Sequence, residues 1–377
     1  MKIMIASDSY KGSLTSLQVA NCIKKGIKEV FPDSQQIILS MADGGEGTTE
    51  AVVESLNGQY RTIRCYDPLY QEIEARYGLF DQDKAIIEMA SASGLPLIKE
   101  KKIRKANTFG TGQLILDALN QGCHTIYIGI GGSATNDGGI GMAHALGIRF
   151  YDHNHNELLP VPENLPAIAY IDSKNLDQRI KNTAIIVMCD VSNPLCGTNG
   201  ATHVYGPQKG ASIEDIKYLD QGLQHLADIC VKQGYSNFQN EQGAGAAGGL
   251  GFGLMTFLNA RLQSGINTVL EIVRFDEQVK DCQLVITGEG KIDNQSLNGK
   301  VPIGVALAAK KYHIPTVAIV GSIGQDATKV FDYIESIESC VPRPCHLHEA
   351  LDNAKDNLYQ ATLRIMKAIR VGMNIKK

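Results

Sequence analysis

The chain has 377 residues, 44% of them apolar and 20% charged, and its 36 basic and 40 acidic side chains leave a net charge of −4. That length exceeds what one hydrophobic core fills, so two α/β domains are expected. The charge balance excludes a general attraction to nucleic acid or to a membrane surface, so any anion must be bound locally.

Met1-Lys2-Ile3-Met4-Ile5-Ala6 reads as a first strand, its apolar run being too short for a signal peptide. No segment is long and apolar enough to span a bilayer. Ser13 to Ser16 supply helix caps for Ala20, Ile23, Ile27 and Val30, which recur at helical spacing. Ile37 to Met41 gives a second strand, and Thr48 to Leu56 a helix whose N-terminus points back at Asp43. Between about 64 and 281 the texture changes to short strands, such as Ala85 to Met89, Thr125 to Ile130 and Ile185 to Cys189, mixed with long loops. Ser212 and Asp215 read as the N-terminal cap of a helix carrying Ile213, Ile216, Leu223, Leu226 and Cys230. The strand–helix pattern resumes with Gln283 to Thr287, Pro302 to Tyr312 and Pro315 to Gly321, with a further strand within Asp332 to Glu338. A closing amphipathic helix carries Leu351, Ala354, Leu358, Ala361, Ile365 and Ala368. The two chain ends therefore build one parallel-sheet domain, residues 1–63 and 282–377, with a second α/β domain, residues 64–281, inserted.

Three loops pair glycines with carboxylates or amides directly after an apolar run: Ala42 to Gly47, Gly131 to Gly139, and Thr287 to Asp293. Glycine lets backbone N–H groups approach an anion closely, and neighbouring carboxylates suit a hard divalent cation sharing the anion's oxygens. Together they suggest a small-molecule kinase. Taken singly, each loop can equally be a tight turn with solvated acids. A P-loop sequence and the protein-kinase motifs are missing. The formal Gly-x-Gly-x-x-Gly at Gly243, Gly245 and Gly248 follows no apolar strand and reads as helix packing.

Asp190 follows an apolar run, which puts its carboxylate at a strand's C-terminal end, where it can accept a substrate hydroxyl's proton or merely cap its own turn. Lys11 lies just past the first strand, suited to a phosphate or a substrate carboxylate. Thr108 and Gly110-Thr111-Gly112 open a helix with hydroxyl and N–H groups for an anion or for capping alone. His153/His155 and His346/His348 lack a third ligand and read as exposed. Nine cysteines without Cys-x-x-Cys spacing fit reduced thiols of a cytoplasmic protein and argue against zinc.

These motifs coincide with a known pattern. In Asp8 to Ser13, Ala42 to Gly47, Ala90 to Leu95, Thr108 to Gly112, Ile130 to Gly139, Cys189 to Leu195 and Thr287 to Asp293, the chain resembles bacterial glycerate kinases of the first type over nearly its whole length. Tyr10 and Ser7 stand where that family often has Phe and Pro. The resemblance implies ATP-dependent phosphorylation of D-glycerate with Mg²⁺, the usual product being 2-phosphoglycerate, by a protein whose terminal domain is Rossmann-like. A 3-phosphoglycerate-forming kinase and a non-catalytic sugar-acid sensor are the alternatives, and a homodimer is left open.

On those motif positions Asp43, Glu289 and Asp293 are expected to hold Mg²⁺. Gly131, Gly132, Ser133, Asn136, Asp137, Gly138, Gly288 and Gly290 are expected to hold the nucleotide phosphates. Asp190 is expected to act as base, Lys300 to neutralise the transferring group, and Lys11, Ser91 and Thr111 to hold the glycerate carboxylate.

Overall fold

Residues 3–7 are buried along an almost wholly apolar first strand, Lys2–Ser7, which is how a strand covered on both faces of a parallel sheet must read. The structure, a computed structural model, describes residues 1–297 and 299–375. Contacts divide the chain into two units: Met1–Asp43 with Glu50–Asn57 and Ser264–Lys377, and Gly44–Thr49 with Gly58–Gln263.

In the first unit, Lys2–Ser7 pairs in parallel with Gln35–Ser40 on one side (Ile5 opposite Ile38) and with Leu284–Thr287 on the other (Ile5 opposite Ile286). Thr316–Val320 and Ser336–Ser339 extend the sheet beyond Leu284–Thr287, again in parallel. One face is covered by the helix Ser16–Val30, started by a reciprocal cap between Thr15 and Gln18, and by the closing helix Ala354–Ile375; Ile23, Ile27, Leu358 and Ala361 join Ile3, Ile286 and Ile319 in that core. On the other face, Ile303 and Ala306 of the helix Val301–Lys310 meet Ala318 and Val320.

The boundary expected after residue 281 falls earlier. Residues 264–281 carry the helices Gly265–Ile272 and Phe275–Val279, and Ile266 occupies the space a Cβ on Gly304 would need, so these helices pack with the chain ends.

The second unit has a mixed six-stranded sheet. Arg261–Gln263, Ala184–Met188, Thr125–Gly129 and Lys84–Glu88 run parallel, and Glu72–Phe80 and Gln59–Tyr66 complete it antiparallel. Helices Phe109–Asn120, Ile140–Ala145, Ile213–Lys232 and Ala246–Leu258 contribute Leu114, Met142, Leu226 and Leu250 to the core around Ile126, Ile128 and Val187. Ser212 and Asp215 cap each other's backbone at the start of Ile213–Lys232, as their spacing suggested.

Candidate active site

The order of strands in the first unit reverses at its first strand: the chain runs outward to Gln35–Ser40, then returns on the other side to Leu284–Thr287 and continues away. Such a switch point is where open parallel sheets leave a crevice at the C-terminal strand ends. Three adjacent strands end there in acids: Asp8 directly, Asp43 three residues on, and Glu289 two residues on.

The backbone N–H of Asp8 donates to the Gly288 carbonyl (2.9 Å), tying two of these strand ends together. Its carboxylate accepts from the Ser9 N–H (2.6 Å). Burial pushes the Asp8 carboxyl up to about 8, and the negative charges of Asp43 and Glu289 push the same way. The motif Asp8 to Ser13 was legible in the sequence without a role for Asp8; its position directly after a largely apolar strand was the available signal.

Glu289 is 5% exposed and accepts from the Ser296 hydroxyl (2.6 Å) and from Lys300 Nζ (3.4 Å). Burial raises its pKa, against the lowering by Ser296 and Lys300. Asp293, expected beside it on a metal, is turned to its own neighbours: it pairs with Lys291 Nζ (3.0 Å) and accepts from the Gln295 N–H (2.9 Å). The Lys291 bond is the largest influence holding its pKa down. Among the described residues, no group of three or more His, Cys, Asp or Glu is disposed to hold a metal ion. Lys11 is exposed in the turn after Tyr10, whose hydroxyl donates to the Ile319 carbonyl (2.6 Å). Gly288 is required by close approach, since a Cβ there would lie 2.1 Å from the Ile319 carbonyl oxygen; at Gly290 the nearest atom would be 3.5 Å away.

In the second unit the expected residues again follow adjacent parallel strands: Ser91 after Lys84–Glu88, the Gly131–Gly139 loop after Thr125–Gly129, and Asp190 after Ala184–Met188. Asp190 is exposed and Ser91 half-buried. Thr111 is fully buried, its hydroxyl hydrogen-bonded to that of Ser93 (2.8 Å).

The loop has an exposed tip and an enclosed base. Gly131 and Gly132 are exposed, whereas Ser133 to Gly139 are buried. Asp137 is not presented to a ligand: its carboxylate accepts from the Thr108 N–H (2.8 Å), the Thr108 hydroxyl (2.8 Å), the Gly139 N–H (3.1 Å) and the Gly141 N–H (3.1 Å). Burial raises the Asp137 pKa against the pull of these donors. Asn136 is likewise enclosed, donating to the Thr202 hydroxyl (2.9 Å). Gly138 takes φ +63°, and its N–H donates to the Gly248 carbonyl (3.0 Å). Ala247, Gly248 and Gly249 lie in the left-handed region, and a Cβ on Gly248 would fall 2.0 Å from the Thr135 carbonyl oxygen. The glycines of 243–249 thus allow backbone to lie on backbone.

Lys209 was missed. It is 1% exposed, and its Nζ donates to the Ser133 hydroxyl oxygen (2.7 Å) and to the Thr135 carbonyl (2.6 Å).

Carboxyls at the switch point of one parallel sheet, and a buttressed glycine loop at the strand ends of another, are the equipment of an α/β phosphotransferase. The glycerate kinase family model matches residues 3–370. The glycerate 2-kinase of Escherichia coli K12 is 47% identical over 377 residues, covering 99% of each chain. The glycerate kinase of Halalkalibacterium halodurans is 47% identical over 367 residues, 96% of this chain and 97% of that one. A crystal structure of a Salmonella typhimurium LT2 protein, given provisionally as glycerate kinase 2, superposes with a TM-score of 0.91 at 42% identity over 99% of both chains. The chain belongs to the glycerate kinase family, and it is an enzyme, a kinase acting on a small molecule. No helix among the described residues is long and apolar enough to cross a membrane.

Proposed function

We propose that this glycerate kinase transfers the γ-phosphoryl group of ATP to the 2-hydroxyl of D-glycerate, giving 2-phosphoglycerate and ADP, with Mg²⁺ and in the cytoplasm. The observation that carries the chemistry is the trio Asp8, Asp43 and Glu289 on adjacent strand ends, with Asp8 raised to about 8 by burial and by the other two charges. Mg²⁺ is ordinarily held by one or two carboxylates and completed by water and phosphate oxygens, so these residues fit an ion that arrives with the nucleotide better than a resident one. When bound, the ion supplies charge neutralisation at the phosphate oxygens. Asp43 and Glu289 would hold it, whereas Asp293 is taken up by Lys291 and Gln295.

Lys300, which pairs with Glu289 (3.4 Å), is assigned to neutralise the transferring group. The N–H groups of Gly288, Gly290, Gly131, Gly132 and Ser133 are assigned to the nucleotide phosphates. Asn136, Asp137 and Gly138 support that loop from behind. Asp190 accepts the proton of the 2-hydroxyl as its oxygen attacks the γ-phosphorus and ADP leaves. Lys11 and Ser91 are assigned to the glycerate carboxylate, with Thr111 acting through Ser93. The 2-position is favoured by the name of the Escherichia coli relative. Nine free thiols favour a reducing compartment.

Purified protein given D-glycerate, ATP and Mg²⁺ should release one ADP for each glycerate consumed. Binding of glycerate without turnover, or ADP release that ignores glycerate, would count against this reading.

A further inference from the structure

A lysine enclosed in protein loses most of its hydration, so its three N–H donors must find acceptors inside. Lys209 finds two of them in one place, the base of the Gly131–Gly139 loop: Ser133 Oγ at 2.7 Å and the Thr135 carbonyl at 2.6 Å. It stands in Gly206-Pro207-Gln208-Lys209-Gly210, a tight turn closed by hydrogen bonds from the Lys209 N–H to the Gly206 carbonyl (2.9 Å) and from the Ala211 N–H to the same carbonyl (3.0 Å). Burial lowers its pKa to about 7, while the Asp137 carboxylate pulls the other way and favours the ammonium.

The donor pattern has a chemical consequence for Ser133. In its ammonium form, which the Asp137 carboxylate favours, Lys209 can only donate, so Ser133 Oγ accepts from it and the serine's own O–H is turned toward another acceptor. Ser133 follows the two exposed glycines of the loop, and its backbone is fixed in register by a bridge to Gly94, with the Ala134 N–H donating to the Ser93 carbonyl (2.9 Å). The hydroxyl therefore has a set place and a set direction.

We infer that Lys209 is a positioning residue for the nucleotide, which holds the Ser133 hydroxyl as a committed donor to a phosphate oxygen bound at the Gly131–Ser133 turn. The inference rests on the assignment of that turn to the nucleotide, and it assigns Lys209 no contact with the nucleotide.

The test is a double-mutant cycle between Lys209→Met and Ser133→Ala, read by ADP affinity in calorimetric titration and by the separate KM values for ATP and D-glycerate. Each single change should weaken ADP about tenfold, as expected for a lost hydrogen bond to a charged group, and the double variant should be no weaker than the poorer single one. The KM for ATP should rise while that for D-glycerate stays put, and Ser133→Thr, which keeps a hydroxyl, should restore most of the loss. Should Lys209→Met not fold, Lys209→Gln is read in the same cycle. Weakening by Ser133→Ala with none from the lysine variants, or strictly additive losses, would overturn the inference and leave the nucleotide assignment standing. No weakening from Ser133→Ala would overturn the assignment and the inference with it.

Discussion

Replacing Asp137 by alanine removes one carboxylate and strands everything that leans on it. Three backbone N–H groups, those of Thr108, Gly139 and Gly141, lose their acceptor, as does the Thr108 hydroxyl, which itself accepts from the Met142 N–H (2.9 Å). A buried donor left without a partner costs about 1–3 kcal/mol. The ammonium of Lys209 also loses the nearby negative charge that favours it. These losses share one carboxylate and do not add in full, and water entering the vacated space recovers part of them, so about 5 kcal/mol is the expected total. For a unit of this size each kcal/mol moves the melting point by about 2–4 °C, which puts the second unit's transition about 10–20 °C lower. With no tryptophan in the chain, calorimetry and far-ultraviolet circular dichroism are the suitable readouts. Asp137→Asn keeps the shape but turns an amide against the same donors and should lose about half as much. A melting point for Asp137→Ala within about 3 °C of the parent would refute the reasoning, because it would mean that the loop does not depend on this carboxylate.

Three further outcomes follow from the same geometry. Asp190→Asn should lower kcat by about 100-fold or more while ADP affinity persists, and near-normal turnover would remove Asp190 as the base. Asp8 holds a proton up to about 8 when folded against 3.8 as an ordinary carboxyl, so between those values the native state binds more protons than the unfolded one. Stability should accordingly fall as pH rises through that window and level off above it, and melting curves of Asp8→Asn should lose that slope; parallel profiles would contradict the assignment. Gly288→Ala must push a Cβ against the Ile319 carbonyl oxygen and should destabilise the first unit, whereas Gly290→Ala meets nothing closer than 3.5 Å and should melt like the parent. Lost activity in a normally folded Gly290→Ala would then report a ligand at that backbone; equal melting losses in both would undo the distinction.

Local chemistry made much of this molecule legible. The apolar run within Lys2–Ser7, the helix Thr48–Leu56 and the Ser212–Asp215 cap are written in neighbouring residues, and the structure has them where pattern and capping put them. The antiparallel strands Gln59–Tyr66 and Glu72–Phe80 were less visible, because much of the first is exposed or half-buried and its sequence carries little apolar contrast. The helix Gly265–Ile272 is apolar enough to belong to either core, and the seating of Ile266 against Gly304 shows which one it joins. The glycine loops announced themselves, but the division of labour inside them did not: Asp137 and Asp293 both look like ligands until their neighbours are seen to take up their oxygens. Lys209 was invisible for the opposite reason. A lysine between glycines in a turn reads as solvated, and it is a loop 76 residues away in sequence that encloses it.

Phosphorus NMR of the product mixture formed from D-glycerate and ATP tests the central claim most directly, since it reads both the transfer and the oxygen that receives it. Phosphate on the 2-oxygen couples to a single carbon-bound proton and on the 3-oxygen to two. The reaction should consume the γ-phosphate resonance of ATP and give one new phosphomonoester doublet. A triplet would place the phosphate on the 3-oxygen, and loss of the γ resonance to inorganic phosphate alone would mean that glycerate is not the acceptor.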